Sequence, residues 1–448
     1  MKKLVCSISL LAASVCLGAS PNFVIILTDD QGWSQVGHLP HPEMKAAKSS
    51  YLETPNLTRI AEEGMRFTRG YAPAPLCTPT RRSIVCGASA ARSGTEFRSK
   101  YVPHQHMTMP KALKMTGKNY VCAHFGKWGE QMISTPEQCG YDVSDGETGN
   151  VTGGMTDKLK AHHIVDDPKR TNSVTDRTIA FMKAQQTAGK PFYAQVSYYA
   201  THLRVELSEK TLRKYQQKGK PDRKYSAGFA GMLEETDTAI GRILDALDEL
   251  GIADNTYVVF MADNGGRGEI PAAASDGLAP NFPLKGYKHT LDEGGIRVPF
   301  YVRGPGVKAN SWCHELVSGY DLLPTFYHLA GGKKALPKEV DGGSFVHLIH
   351  GINKSPVKRG VEGLVFHRPR QRVSVYTKGD YKLLLEWQGE VPGKASLYNT
   401  RMDARESKDL SNQLPERVTE MKKSLLEYLK SIKAETVKDH PKMRNKAY

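Results

Sequence analysis

Residues 22–28 (NFVIILT) form an unbroken apolar run rich in β-branched side chains, cut off by Asp29, Asp30, Gln31 and Gly32. A run without polar alternation predicts a parallel strand buried on both faces. The pattern recurs at 257–262 (YVVFMA), which ends in Asp263, Asn264, Gly265 and Gly266, and at 192–199 (FYAQVSYY), which leads into Thr201 and His202. Ligands of open α/β sheets bind beyond the carboxyl ends of the strands. Three strands that each deliver polar, titratable residues there predict one shared site.

Helical periodicity fills the intervals. Thr54 and Pro55 open a segment that Gly64 closes, and residues 108–115 form another that stops before Gly117. The longest stripe covers 226–250, with Phe229, Met232, Leu233, Ile240, Ile243, Leu244, Leu247 and Leu250 spaced three and four apart. Alternating strands and helices over more than 300 residues predict a doubly wound α/β domain with a large, mainly parallel sheet. After His350 the texture changes. A polar stretch with Pro356 precedes short strand patterns at 363–366, 372–376 and 381–387 and an amphipathic helix at 416–432. These predict a smaller antiparallel sheet carrying a helix.

Composition adds charge to this picture. The 448 residues carry 62 Lys+Arg against 47 Asp+Glu, a formal charge of +15, with an ordinary 39% hydrophobic content that excludes a largely disordered chain. Charge alone admits nucleic acid, membrane or another polyanion as partner. Lys2 and Lys3 before an apolar stretch to Leu17, then Gly18, Ala19 and Ser20, have the layout of a signal peptide over residues 1–19. The expected product is exported, periplasmic or secreted, with no stable membrane anchor and no nucleic-acid role. Losing Lys2 and Lys3 leaves 15 − 2 = +13. Cys6 and Cys16 leave too, so Cys77, Cys86, Cys122, Cys139 and Cys313 remain: an odd number, too scattered for a zinc site or a disulfide scaffold.

The most informative stretch is Leu76-Cys77-Thr78-Pro79-Thr80-Arg81. Its Cys-x-Pro-x-Arg core resembles the signal by which sulfatases have a cysteine oxidised to formylglycine. Further matches run in the same order: Asn22 to Gly32, Gly126-Lys127-Trp128, His202 after its strand, Asp263-Asn264-Gly265, Lys285-Gly286-Tyr287-Lys288 with Glu293-Gly294-Gly295-Ile296-Arg297-Val298-Pro299, and Leu397-Tyr398-Asn399. Over residues 22–435 the chain is identified as resembling type I sulfatases of the alkaline phosphatase superfamily. With the change of texture after His350, the expected division is a catalytic domain over 20–355 and a C-terminal α+β subdomain over 356–448.

It also implies chemistry. Asp29, Asp30, Asp263 and Asn264, with residue 77, would bind a metal; hard oxygen donors suit Ca²⁺ or Mg²⁺ over zinc, and the resemblance selects Ca²⁺. Each pair has a bland alternative, since Asp-Asp can cap a helix and Asp-Asn-Gly is a common turn. Cys77 would become formylglycine through a maturation enzyme, its hydrate attacking sulfur and expelling sulfate as the aldehyde re-forms. Arg81 would hold that group, Lys127 and Lys288 would grip sulfate oxygens, and His202 would bind substrate and protonate the leaving alcohol. Lys285 is the other lysine available, and its spacing to Glu293 favours Lys288.

Three positions depart from the pattern. Gly129 stands where the family usually has a histidine that contacts formylglycine; His124 and Glu130 are candidates for its role. Thr201 replaces a proline, and Cys86-Gly87 replaces Thr-Gly. The expected substrate is a sulfated carbohydrate or small sulfate ester; a phosphate or phosphonate monoester hydrolase and a catalytically impaired glycan-binding homologue are the alternatives. Seven Lys/Arg within 210–224 read as a solvated face or as a rim for a polyanion. Trp33, Tyr198 and Tyr199 could stack on sugar rings or pack in the core.

Overall fold

The computed structural model describes residues 20–154 and 161–439. The expected signal segment therefore lies outside the described residues. The central sheet comprises β1 (Asn22–Thr28), β2 (Met65–Phe67), β3 (Val121–Gly126), β4 (Val143–Ser144), β5 (Phe192–Ser197), β6 (Thr256–Ala262), β7 (Phe300–Arg303) and β8 (Ser311–Cys313). Their order is β8-β2-β7-β6-β1-β5-β3-β4. β1 lies parallel between β5 and β6, and only β7 runs against its neighbours.

The unbroken apolar run of β1 has its cause in two-sided burial. Phe23, Ile25 and Leu27 enter one hydrophobic cluster and Val24 and Ile26 the opposite one. Helix α1 (Pro55–Glu63) and the long helix α4 (Ala227–Glu249) cover the second face; Ile240, Ile243, Leu244 and Leu247 supply the predicted stripe. Ser226 caps α4 by accepting from Phe229 N. Between them in the chain lie α2 (Cys77–Cys86) and α3 (Thr171–Thr187).

β5 ends two residues earlier than its sequence pattern. Its ladder with β1 stops at the Ser197–Leu27 pair, and the chain then turns so that Asp29 N donates to Ala200 O at 2.8 Å. Tyr198 packs in the core with its hydroxyl 2.7 Å from Thr175, and Tyr199 is buried as well.

A second sheet of four antiparallel strands follows: β9 (Leu364–Arg368), β10 (Val373–Lys378), β11 (Tyr381–Gln388) and β12 (Val391–Asn399), with α5 (Pro415–Ser431) packed on it. Only the end of β12 is visible as a strand in the sequence, because Pro392 and Gly393 argue against one. It is an edge strand, where proline costs no ladder hydrogen bond, and its pairing with β11 is interrupted between Leu385 and Trp387. Tyr71, Leu291 and Ile296 share a hydrophobic cluster with Leu364, Phe366 and Val375, so the small sheet packs directly on the loops of the large one. No helix among the described residues is long and apolar enough to cross a membrane.

Candidate active site

Every site residue expected from the sequence lies at the carboxyl edge of the central sheet, on a loop folded over it or on helix α2, and all are buried. β1 delivers Asp29 and Asp30, β6 delivers Asp263 and Asn264, and β3 delivers Lys127. The segment after β5 brings in His202, and α2 begins at Cys77 with Arg81 one turn on.

Glycines let these segments approach. A Cβ on Gly126 would sit 2.1 Å from Ser197 O, and one on Gly265 would sit 1.9 Å from Gly294 O. The Asp263 turn therefore lies directly against the 293–296 segment, which explains two glycine motifs at once. Asp30 adopts φ 63°, a left-handed conformation that aspartate tolerates better than most residues. Thr201, in the place of a proline, donates its backbone N–H to Asp29 O at 2.5 Å. Gly87 ends α2 with φ 62°.

Cations and carboxylates interlock here. Arg81 donates to Asp263 Oδ2 from Nε (3.0 Å) and Nη2 (2.7 Å) and to Lys127 O from Nη1 (2.5 Å). Lys127 Nζ pairs with Asp29 Oδ2, and Lys288 Nζ lies 2.6 Å from Asp30 Oδ1. Asn264 Nδ2 donates to Asp30 Oδ1 at 2.9 Å, and Asp30 N donates to Asp263 Oδ1 at 3.1 Å. Lys285 turns away to Asp292 at 3.1 Å, so Lys288 is the lysine at the site.

Burial pushes Asp263 up to about 7, with Asp29 adding to the effect against the pull of Arg81. Burial opposes ionisation of Asp30 too, but the Lys288 ammonium beside it holds it well below the usual range. Burial raises the Cys77 thiol despite Lys127 and Lys288, so the unmodified side chain is a thiol and a poor nucleophile at neutral pH. His202 is lowered to about 3 by burial and Lys288, against Asp30. Its Nδ1 lies 2.8 Å from Leu203 O, which can only accept, so the neutral ring turns a lone pair at Nε2 toward Asp30, 3.8 Å away.

The donor set fits a hard cation. Asp29 Oδ1 and Asn264 Oδ1 are buried without a hydrogen-bond partner, and buried polar oxygens are costly to leave so. Ligand atoms of Asp29, Asp30 and His202 also lie within 4.8 Å of one another. The imidazole is a candidate donor that the sequence reading places in substrate binding and acid catalysis but not among the metal ligands.

Of the two candidates for the missing histidine's role, Glu130 is occupied: its carboxylate accepts from Asn150 N. His124 is fully buried, edge-on to Trp128, with Nε2 3.1 Å from Ser197 Oγ. Trp33, like Tyr198 and Tyr199, is buried and not available to a sugar; Arg297 stacks 4.6 Å from its ring. The basic run at 210–224 is largely neutralised: Arg213 meets Glu209, Lys214 meets Glu53 and Glu234, Lys218 meets Glu53 and Lys220 meets Asp276. Arg223 is buried, donating to Ser34 O at 3.0 Å.

Two cations near the site had not been singled out. Lys169 is buried and adds favourable charge near Asp29. Arg267 places Nη1 3.9 Å from Asp30 Oδ2. Arg267 was findable, since it follows Asp263-Asn264-Gly265-Gly266 directly; Lys169 is brought in only by the fold.

A family model described as Sulfatase matches residues 21–332. N-acetylgalactosamine-6-sulfatase of Canis lupus familiaris is 29% identical over 358 residues, covering 72% of this chain and 64% of the relative. The chain thus spans just under two thirds of that protein's length. Arylsulfatase A of Bos taurus is 30% identical over 385 residues, covering 77% of this chain and 71% of the relative. The crystal structure of Ps i-CgsB in complex with k-i-k-neocarrahexaose shares the fold with a TM-score of 0.74 at 24% identity, covering 92% of this chain and 93% of that one.

Proposed function

Because the chain belongs to the sulfatase family, we propose that it is an exported hydrolase of sulfate monoesters on a carbohydrate, with a formylglycine made from Cys77 by a maturation enzyme as nucleophile. The observation that carries this reading is the placement of Cys77, a buried thiol at the first turn of α2, beside buried Lys127, Lys288 and the Asp29-Asp30-Asp263-Asn264 cluster. As a hydrated aldehyde, residue 77 would supply an oxygen nucleophile to sulfur and release sulfate as the aldehyde re-forms. Asp29, Asp30, Asp263 and Asn264 would hold Ca²⁺, which supplies positive charge for the sulfate oxygens.

The chain's own groups do the rest. Arg81 fixes Asp263 and the Lys127 carbonyl, which sets the floor of the site. Lys127 and Lys288 present fixed charge where an ester's oxygens gain it. His202, whose Nε2 faces Asp30, would bind the substrate and protonate the leaving alcohol.

Protein co-expressed with a maturation enzyme tests the reading. The peptide spanning residue 77 should show the mass loss of thiol-to-aldehyde conversion, aryl sulfate should be hydrolysed in preference to aryl phosphate, and Cys77→Ala should abolish release. Full activity with an unmodified thiol, or a large preference for phosphate, refutes it.

A further inference from the structure

We propose that Arg267 and Tyr287 form a subsite for a sugar ring carrying a second anionic substituent, sulfate or carboxylate, next to the ester being cleaved. The inference rests on the sulfatase reading and extends it to substrate choice. Lys288 and Arg267 converge on one carboxylate: Lys288, buried, touches Asp30 at 2.6 Å, while Arg267, with its side chain 31% exposed, reaches Asp30 Oδ2 at 3.9 Å. Arg267 is thus the cation between the buried site and solvent. Its Nε donates to Glu269 O at 3.4 Å. Both contacts are longer than the roughly 2.7–2.9 Å of a charge-assisted hydrogen bond, so the guanidinium keeps donors for an incoming anion in fork geometry.

Tyr287 supplies the platform. It precedes Lys288, and its ring lies over the backbone of Gly268, the residue after Arg267: a Cβ on Gly268 would stand 2.8 Å from Tyr287 Cγ and 2.9 Å from Cδ1. One ring face is held by that contact, and the residue remains 38% exposed. Its backbone is fixed by Thr290, which donates N–H to Tyr287 O at 2.9 Å and whose hydroxyl accepts from Tyr287 N at 3.2 Å. A fixed, half-exposed aromatic ring loses little entropy when the apolar face of a pyranose covers it. With the sulfate ester at Lys288, a ring on Tyr287 turns its neighbouring substituent to Arg267.

The test compares three defined sugars with the same cleavable sulfate: one bearing it alone, one with a second sulfate, and one with a uronate carboxylate. Sulfate release and calorimetric binding are both followed for the parent protein, Arg267→Gln and Tyr287→Ala. The expected result is a parent preference of at least tenfold for one or both dianionic sugars, reduced to less than threefold in Arg267→Gln. Which of the two is preferred identifies the anion. Tyr287→Ala should weaken all three sugars relative to an aryl sulfate. Equal loss on all three sugars in Arg267→Gln, or no parent preference, overturns the subsite. Absence of sulfate release counts against the hydrolase reading instead, and the binding ratios still decide the subsite.

Discussion

Replacing Lys382 by methionine isolates the joint between the small sheet and the catalytic loop. Lys382 lies on β11, fully buried, 3.1 Å from Glu293 Oε1 and 2.8 Å from Glu406 Oε1, the latter off the hydrogen-bonding direction. Glu293 also accepts from the Tyr71 hydroxyl at 2.8 Å, and its backbone N–H donates to Glu406 Oε2 at 2.8 Å. Burial favours the protonated form of Glu293, yet Lys382 and Arg297 hold it below the usual carboxylate range; at Glu406 burial wins and the carboxyl is raised. Methionine keeps the volume and removes the charge that both share. Removing one partner of a buried ion pair costs about 3–5 kcal/mol. At about 2 °C per kcal/mol for a large chain, Tm should fall by about 6–10 °C. Without Lys382, burial raises Glu293 as well. An acid raised in the folded state loses stability as pH rises through its folded value, so the deficit should be smaller at pH 5 than at pH 8. Adding Glu406→Gln should recover part of it. The assay is thermal unfolding of parent, single and double variants at both pH values; a deficit under about 1 kcal/mol, or one independent of pH, refutes the reasoning.

Two further outcomes follow from the same physics. Calcium that binds only the folded chain should raise Tm, by about 2.7 kcal/mol of added stability at a hundredfold excess over Kd; Asp263→Asn should erase most of that shift, and a shift of equal size in the variant excludes this site. His38, buried with Nε2 2.8 Å from the Tyr301 hydroxyl, is lowered to about 3 by burial and the nearby Arg66. A lowered histidine gives stability that is present above about pH 6.5 and is lost as pH falls toward 3, at up to about 1.4 kcal/mol per unit. Denaturant titrations of His38→Gln should show a shallower loss between pH 6.5 and 4 than the parent, and parallel curves contradict the assignment.

The strands that build the site were legible because they are buried on both faces, which leaves uninterrupted apolar runs such as 22–28, and because their ends carry titratable residues in a recognisable order. The glycine motifs were legible as patterns, but their reason is steric and appears only when Gly265 meets Gly294. Long-range electrostatics stayed hidden. Nothing in the sequence pairs Lys382 with Glu293 and Glu406, places Lys169 near Asp29, or matches the 210–224 lysines with Glu53 and Glu234 on other elements. The basic run that first suggested a polyanion rim is mostly paired; the buried positive charge is gathered at the strand ends, with Arg267 at its edge.

Gly129 sharpens the same distinction between motif and environment. Placing a histidine there should fail to raise turnover, because the backbone at this position suits only glycine. Gly129 has φ 144°, outside the range other residues favour, and a Cβ would stand 3.0 Å from Met132 Cγ and 3.4 Å from Thr78 Oγ1. Strained conformations of this kind cost about 1–3 kcal/mol, and Thr78 is engaged in accepting from Glu130 N at 2.9 Å. Forcing a side chain in would disturb the turn that follows Cys77. Gly129→His is therefore expected to lower Tm by about 2–6 °C and to leave kcat on aryl sulfate at or below the parent value. A several-fold gain in kcat for Gly129→His at unchanged Tm would show that the backbone accommodates the family's arrangement and that only the imidazole was missing.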